Sequence, residues 1–336
     1  MDFCISLSDI LERIKSNRYN ILDLIIEYII KDKDLRKSIE DEIGKIEPIR
    51  QENGMILKID FNRGGEDPSQ PNIFKLYLSG NGIIRIDWGD ETSTEVNLAD
   101  TDVPISHEYE DKKEYEITIY GQEDNPNQEI SFGSGSDFSE TNKYLKEIVY
   151  WGDLNLVSLS GALSRTKDPL TVPEKLPSTV KDLSYLLYDS SVSKVINIQN
   201  WDTSNVTNMT RTFAGATEFN QDIGDWDTRN VTDMSRMFIL AESFDQYIGD
   251  WNTSSVENME SMFNLAKSFN KNIGGWDTSK VENMNAMFFN AENFDQNLSG
   301  WCVKLINSKP DNFDTGSKFQ GKEDRQPQWE NPPCLQ

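Results

Sequence analysis

The residue types that most often perform chemistry in proteins are scarce in this sequence. The chain of 336 residues contains one histidine, His107, and three cysteines. A general base or a metal site with His and Cys ligands needs several such groups close together. The sequence also contains no nucleophile elbow, no Gly-rich phosphate loop and no cluster of metal-ligand residues. We therefore expect a protein that is not an enzyme and that has no cofactor and no metal site.

Two aspartates beside Trp88 are the other candidates for a site. Asp87 and Asp90 could bind a cation, but Asp next to Gly is also the ordinary composition of a tight turn. We interpret both as turn residues and His107 as a structural residue.

The cysteines at the C-terminal end offer a different kind of chemistry. Cys302 and Cys334 bracket a polar segment, and a disulfide closing that loop would stabilise the fold by about 3 to 4 kcal/mol. The alternative is a pair of reduced thiols, as in a cytosolic protein. Cys4 has no partner in the sequence.

The elements that must position any functional side chain follow a 25-residue period. Tryptophan recurs at positions 201, 226, 251, 276 and 301. From each of the first four, Thr, Val, Met, Phe, Ala, Phe and Ile or Leu recur at +2, +5, +8, +12, +15, +18 and +22. The spacing of +5, +8, +12 and +15 predicts one apolar face of a short helix. Thr or Ser at +2 and +3 would provide its N-cap.

The segment from +18 to the next Trp predicts one short strand. Each unit is then a strand, a turn and a helix, and stacked units bury their aromatic side chains. Two less regular units begin at Trp151 and Leu176, so about six turns of a solenoid are predicted over residues 145–300. Residues 301–336 are predicted to be a C-terminal cap.

Residues 1–50 predict two or three helices. Their central stretch, ILDLIIEYII, is too apolar to face water and too short to cross a membrane. It packs within the chain, or it docks on a partner or a second copy. In the second case the docking residues are Leu22, Ile25, Ile26 and Ile29. No signal peptide and no membrane span are evident.

Residues 51–122 change to a period of two. Four apolar runs, MILKIDF, FKLYL, IIRIDW and YEITIY, alternate and are bounded by turn residues, which predicts an antiparallel β-sandwich. Residues 123–144 are polar and rich in Gly and Ser, and are predicted to be a linker.

The charge balance excludes one class of partner. There are 33 basic and 57 acidic residues, which gives a net charge of −24. Nucleic acid binding needs a basic face, and none is visible.

Two family resemblances follow from these motifs. IDWGDET and the later ISHEYEDKKEYEITIYG resemble the PKD-type immunoglobulin-like module, although Glu91 and Lys112-Lys113 depart from its usual turns. The units W-D-T-S-x-V-x-x-M-x-x-M-F-x-x-A-x-x-F-N-Q-x-I, with the terminal G-W-C-V and P-P-C, resemble BspA-like leucine-rich-repeat surface proteins. With the predicted helices of residues 1–50, they give a multidomain chain with an N-terminal α-helical region, a small PKD-like β-sandwich and an α/β leucine-rich-repeat-type solenoid.

The BspA-like resemblance implies a cell-surface or extracellular protein that mediates adhesion or binds a protein or glycan. The absent signal peptide leaves two other locations, the cytoplasm or a released particle. The predicted ligand-binding residues lie on the exposed strand positions, at Gln221, Asp222, Gln246, Tyr247, Lys271, Asn272, Gln296 and Asn297. The recurrent Asn or Asp at +19 predicts instead a ladder of hydrogen bonds to the backbone between units.

An alternative function is a structural or receptor-binding subunit of a larger particle, such as a phage-tail-like contractile assembly. Residues 1–50 would then dock it, as a homo-oligomer or within a larger assembly.

Overall fold

The computed structural model describes residues 54–64, 71–100, 104–122, 125, 127–134, 142–330 and 334. The chain divides into two units, Met1–Glu52 and Asn53–Gln336, and only the second contains described residues. The predicted helices of residues 1–50, with the docking residues Leu22, Ile25, Ile26 and Ile29, lie outside the described residues.

The described secondary structure consists of strands and 3-10 turns. The strands are β1 Met55–Asp60, β2 Asn72–Leu76, β3 Leu78–Gly80, β4 Ile83–Asp87, β5 Ser93–Asn97, β6 Ile105–Tyr109, β7 Glu114–Tyr120, β8 Ile130–Phe132, β9 Leu145–Tyr150, β10 Leu156–Ser158, β11 Leu170–Thr171 and β12 Val195–Ile196. The 3-10 turns are Phe61–Gly64, Leu98–Asp100, Ile198–Asn200 and Glu323–Arg325.

One seven-stranded sheet runs from the first strands into the repeats, in the order β12-β11-β9-β1-β7-β4-β5. Its strands β1, β7, β4 and β5 pair antiparallel, whereas β9, β11 and β12 pair parallel. The smaller sheets are β10-β8-β3 and β2-β6. The alternating apolar runs predicted to be strands are confirmed as strands, since they contain β1, β2, β4 and β7 with apolar side chains buried at alternate positions. Strand β8 lies within residues 123–144.

The predicted α/β fold of the repeats is wrong. Between residues 142 and 330 the structure has turns, short strands and two 3-10 turns, and no α-helix. The apolar residues at +5, +8, +12 and +15 are buried as their spacing suggested. The backbone that carries them is not helical, so the prediction of strand, turn and helix units fails at the helix.

The physical reason is a pair of residues with left-handed backbone conformation, four positions apart, in each unit. At +10 and +14 of each regular unit φ is positive, as at Arg236 (57°) and Leu240 (60°). A residue in this region interrupts the right-handed turn of a helix. The backbone amides between these two residues donate to two kinds of acceptor, one within the unit and one in the next unit. In the second regular unit, Met237 N–H donates to Met234 O (3.2 Å), three residues back, whereas Phe238 N–H donates to Met262 O of the next unit (2.9 Å).

This alternation repeats in every regular unit. Isolated parallel bridges join the units in a row. They lie at +7, or at +6 in the unit that begins at Leu176, and involve Ser158, Asp182, Asn208, Asp233, Asn258 and Asn283. Bonds between units therefore replace the bonds to residue i−4 that a helix would need.

Two columns of phenylalanine fill the interior of the stack. The rings at +12 stack almost parallel from unit to unit, for example Phe238 on Phe263 at 5.5 Å and 5°. The rings at +18 form the second column, with Phe244 on Phe269 at 6.0 Å and 14°. Offset parallel rings at this spacing attract each other beyond their burial. At the C-terminal end Phe313 meets the first column edge-on at 89°, so the stacking ends there.

Candidate functional site

The edge of the stack that carries the predicted ligand-binding residues is built around position +19. The carboxamide or carboxylate Oδ1 at +19 accepts the backbone N–H of +19 in the next unit. Asp245 N–H donates to Asn220, Asn270 N–H to Asp245, and Asp295 N–H to Asn270, each at 2.9 Å. The predicted ladder of Asn and Asp between units is confirmed. We call it the +19 ladder.

The residue at +20 donates a second bond into this ladder, and its type matches the acceptor behind it. Where the acceptor at +19 is Asn, the donor at +20 of the next unit is the amide of Gln. Where the acceptor is Asp, the donor is a lysine. The four pairs are Gln246 with Asn220 (2.8 Å), Lys271 with Asp245 (2.7 Å), Gln296 with Asn270 (2.8 Å) and Lys322, from the C-terminal segment, with Asp295 (2.5 Å). In the first regular unit, Gln221 Oε1 accepts Val195 N–H (3.1 Å). The predicted ligand residues at +20 are therefore half-buried and bonded within the stack.

The residue at +21 differs from the residue at +20 because it is exposed. Every member of this row in the four regular units is exposed: Asp222, Tyr247, Asn272 and Asn297. We call it the +21 row.

The three shorter polar side chains of the +21 row each cap a turn with one oxygen. Oδ1 of Asp222, Asn272 and Asn297 accepts the N–H two residues on (2.9 to 3.0 Å), which is the usual Asx turn. The second polar atom of each side chain takes no part in that turn, and it lies on an exposed residue.

Tyr247 is held differently from its neighbours. Its side chain is 49% exposed, among the most exposed large apolar groups of the described chain. Its hydroxyl donates to Asp250 Oδ1 (3.0 Å), and this hydrogen bond raises the pKa of Tyr247 above its ordinary value. The ring lies against Gly249, where an added Cβ would meet ring carbons Cε2 and Cζ at 2.8 Å. The ring is thus fixed at its edge and at its tip.

The C-terminal segment is attached to the last unit by charge and by a covalent bond. Lys322 and Arg325 both bind Asp295, and the hydrogen bond from Lys322 is the main reason that the pKa of Asp295 is lowered. Cys302 and Cys334 form a disulfide with Cα atoms 4.7 Å apart.

The residues around Trp88 form a packed core cluster. His107 stacks on the Trp88 indole at 4.7 Å and 6°, and its Nε2 lies 2.7 Å from Asp90 Oδ2. Asp90 also accepts hydrogen bonds from Thr92, as in a tight turn. Partial burial raises the pKa of Asp90, but the hydrogen bonds from Thr92 and His107 outweigh it and the pKa is lowered overall. The turn interpretation of Asp90 is confirmed, whereas that of Asp87 is wrong, because Asp87 is the last residue of β4 and pairs with Arg85. The packing of His107 agrees with its interpretation as a structural residue.

Sequence reasoning did not separate +20 from +21, and it did not include Gly249 or Asp250. A signal for the separation was present, because the donor at +20 alternates Gln, Lys, Gln with the alternation of Asn and Asp at +19, whereas +21 varies freely. Gly at +23 in three successive units also indicated a close approach between chains.

The repeats resemble one known family. A family described as "Mycoplasma protein of unknown function, DUF285" matches residues 172–248 and 223–326. These ranges cover the regular repeats and most of the C-terminal segment, and the match is consistent with a BspA-like repeat protein. No curated protein and no solved structure matches the chain. The matched ranges do not include residues 51–122, so the PKD-like resemblance stays a prediction.

The described residues contain neither a membrane-spanning helix nor a cluster of metal ligands. No helix in that part of the chain has the length and apolar character to cross a membrane. No group of three or more His, Cys, Asp or Glu side chains there could hold a metal ion.

Proposed function

We propose that the repeats form a non-enzymatic binding scaffold that presents the +21 row to a protein or glycan at the cell surface. One observation carries this proposal. The fold uses the side chains at +19 and +20 for its own hydrogen bonds, and it leaves the next residue of each regular unit exposed at a regular spacing. Because each unit is bonded to its neighbours on both sides, the exposed row is rigid, and a rigid surface loses little entropy when it binds.

The family match supports the surface assignment only through resemblance. Export would also explain the disulfide, since disulfides persist in oxidising compartments. We therefore expect Cys302 and Cys334 to be oxidised in protein recovered from intact cells that were first treated with a membrane-impermeant thiol reagent. Recovery of both as free thiols inside the cell would contradict a surface location.

The binding proposal is tested with full-length protein on protein and glycan arrays probed in parallel. The row variant carries Asp222→Asn, Tyr247→Ser, Asn272→Asp and Asn297→Asp. The changes at Asp222, Asn272 and Asn297 keep the oxygen that caps each turn. The matched control carries Thr217→Ser, Glu218→Gln and Glu292→Gln, three exposed positions at +16 and +17. Thermal unfolding of all three proteins checks that each is folded.

We expect the intact protein and the control to bind the same spots, and the row variant to lose them. The proposal is contradicted if the intact protein binds no spot above an unrelated protein of similar negative charge. It is equally contradicted if the control loses the same spots as the row variant.

A further inference from the structure

The most unusual member of the +21 row is an aromatic ring that is both fixed and exposed. Single exposed apolar residues are normal on protein surfaces, and a mobile tyrosine would need no explanation. Tyr247 is held in one position, because its ring packs against Gly249 and its hydroxyl donates a hydrogen bond to Asp250. Ordering an exposed side chain costs conformational entropy. A preordered ring offers a partner a flat apolar face at no further cost.

Three aspartates occupy neighbouring positions along the same edge. Asp222 precedes Tyr247 by one unit in the row, and Asp225 and Asp250 occupy +24 in the two adjacent units. All three are exposed, and among the described residues none forms an ion pair with a basic side chain. Lys271, at +20 of the next unit, is already paired with Asp245.

The hydrogen bond to Asp250 also acts on the ring itself. A phenol that donates to a carboxylate gains electron density, and the negative face of an aromatic ring attracts cations. The face of the ring and the carboxylates therefore both attract a cation.

We infer that Tyr247, with Asp222, Asp225 and Asp250, is the anchor point for an arginine or lysine side chain from a basic segment of a partner protein. The cation lies over the exposed face of the ring and the three carboxylates surround it. The net charge of −24 draws such a segment toward the surface. This inference rests on the proposed function and specifies the partner as a basic protein rather than a glycan.

The test measures binding of a fluorescent peptide of four arginines separated by glycines to the full-length protein, at near-physiological salt, by anisotropy. A peptide with citrulline in place of each arginine has the same shape and no charge. Tyr247→Leu removes the ring, and Tyr247→Phe keeps the ring and removes the bond to Asp250. Tyr150→Leu is the control, because Tyr150 is also a partly exposed aromatic (36%) but lies on β9, outside the +21 row.

We expect the citrulline peptide not to bind and Tyr247→Leu to weaken the arginine peptide about two- to fivefold, the range of an exposed cation–π contact. Tyr247→Phe should lie between, and Tyr150→Leu should match the intact protein. Equal affinity of Tyr247→Leu and intact protein overturns the inference, because binding then depends on net charge alone. Equal binding of the citrulline peptide also overturns it. If glycans on the array bind through Tyr247 while the arginine peptide does not bind, this inference fails and the proposed function stands.

Discussion

The first two units and the four regular units are joined along the same edge by different bonds. In the first two units the edge is a true parallel sheet, in which β11 pairs with β9 and with β12 through backbone atoms. In the regular units the backbone at this edge is not a strand, and the +19 ladder takes over. Backbone pairing accepts almost any side chain, whereas the ladder requires Asn or Asp at one position. This difference explains why the first two units are irregular in sequence and the other four are not.

The closest approach between regular units gives the largest expected effect. At Gly274 an added Cβ would lie 2.5 Å from Asn297 O of the next unit, whereas the adjacent Gly275 has nothing within 4 Å. We expect Gly274→Ala to lower the free energy of unfolding by about 1 to 3 kcal/mol, because a backbone carbonyl cannot move aside cheaply. Gly275→Ala should change it by less than about 0.5 kcal/mol. Urea unfolding measures both, and equal losses would show that the units are not in contact here.

The +19 ladder itself gives the next largest effect. Asn270→Ala removes the acceptor for Asp295 N–H and for the Gln296 amide, and we expect a loss of about 1 to 2 kcal/mol. Lys194 directly precedes β12 in an irregular unit, where the backbone of β12 pairs with β11, and a lysine side chain cannot accept a hydrogen bond. Lys194→Ala should therefore be neutral within about 0.5 kcal/mol. A loss at Lys194 equal to that at Asn270 would remove the distinction between the two kinds of unit.

A glycine substitution separates turns from helix by the sign of its effect. Leu240 has a left-handed backbone (φ 60°) and a largely exposed side chain, and a non-glycine residue in this region is strained by about 1 to 2 kcal/mol. We expect Leu240→Gly to raise the free energy of unfolding by about 0.5 kcal/mol after the entropy cost of glycine. Ser243→Gly, which has no such strain to relieve, should lower it. In the predicted helix, which would include Leu240, Leu240→Gly would instead be destabilising.

The smallest expected effect is a dependence on pH at the C-terminal end. The bond from Lys322 lowers the folded-state pKa of Asp295. A carboxyl group with a lowered pKa contributes stability that is present above its unfolded pKa of about 4 and is lost as the pH falls through its folded pKa. We expect the loss of unfolding free energy below about pH 4 to be shallower in Asp295→Asn than in the intact protein. Identical slopes over this range would mean that Asp295 is not held by Lys322.

The sequence predicted burial better than backbone conformation. The period of 25, the buried positions of each unit, the +19 ladder and the strands of residues 55–120 could all be derived from residue type and spacing. The helix could not be excluded, because turns with left-handed residues at +10 and +14 bury the same positions as a helix does. At those positions the sequence has Arg, Ser, Ala and Leu as well as Gly and Asn, so no glycine pattern marked them.

The sequence predicted which edge of the stack carries the candidate site, but it did not show which of the positions +20 and +21 is free to face a ligand. Gln246 and Lys271 were expected to face a ligand because they are polar and lie near a strand. Whether a polar side chain is already bonded depends on its neighbour 26 residues earlier, and that pairing appears only when the units are stacked.

The most direct test of this account asks where one amide sends its hydrogen bond. On protein labelled with ²H, ¹³C and ¹⁵N, the scalar coupling across a hydrogen bond joins an amide nitrogen to the carbonyl carbon that accepts it. For Phe238 we predict a coupling to Met262 of the next unit, whose oxygen lies 2.9 Å from the Phe238 nitrogen. A coupling to Met234, four residues back, would show that the repeats are helical and would contradict the account.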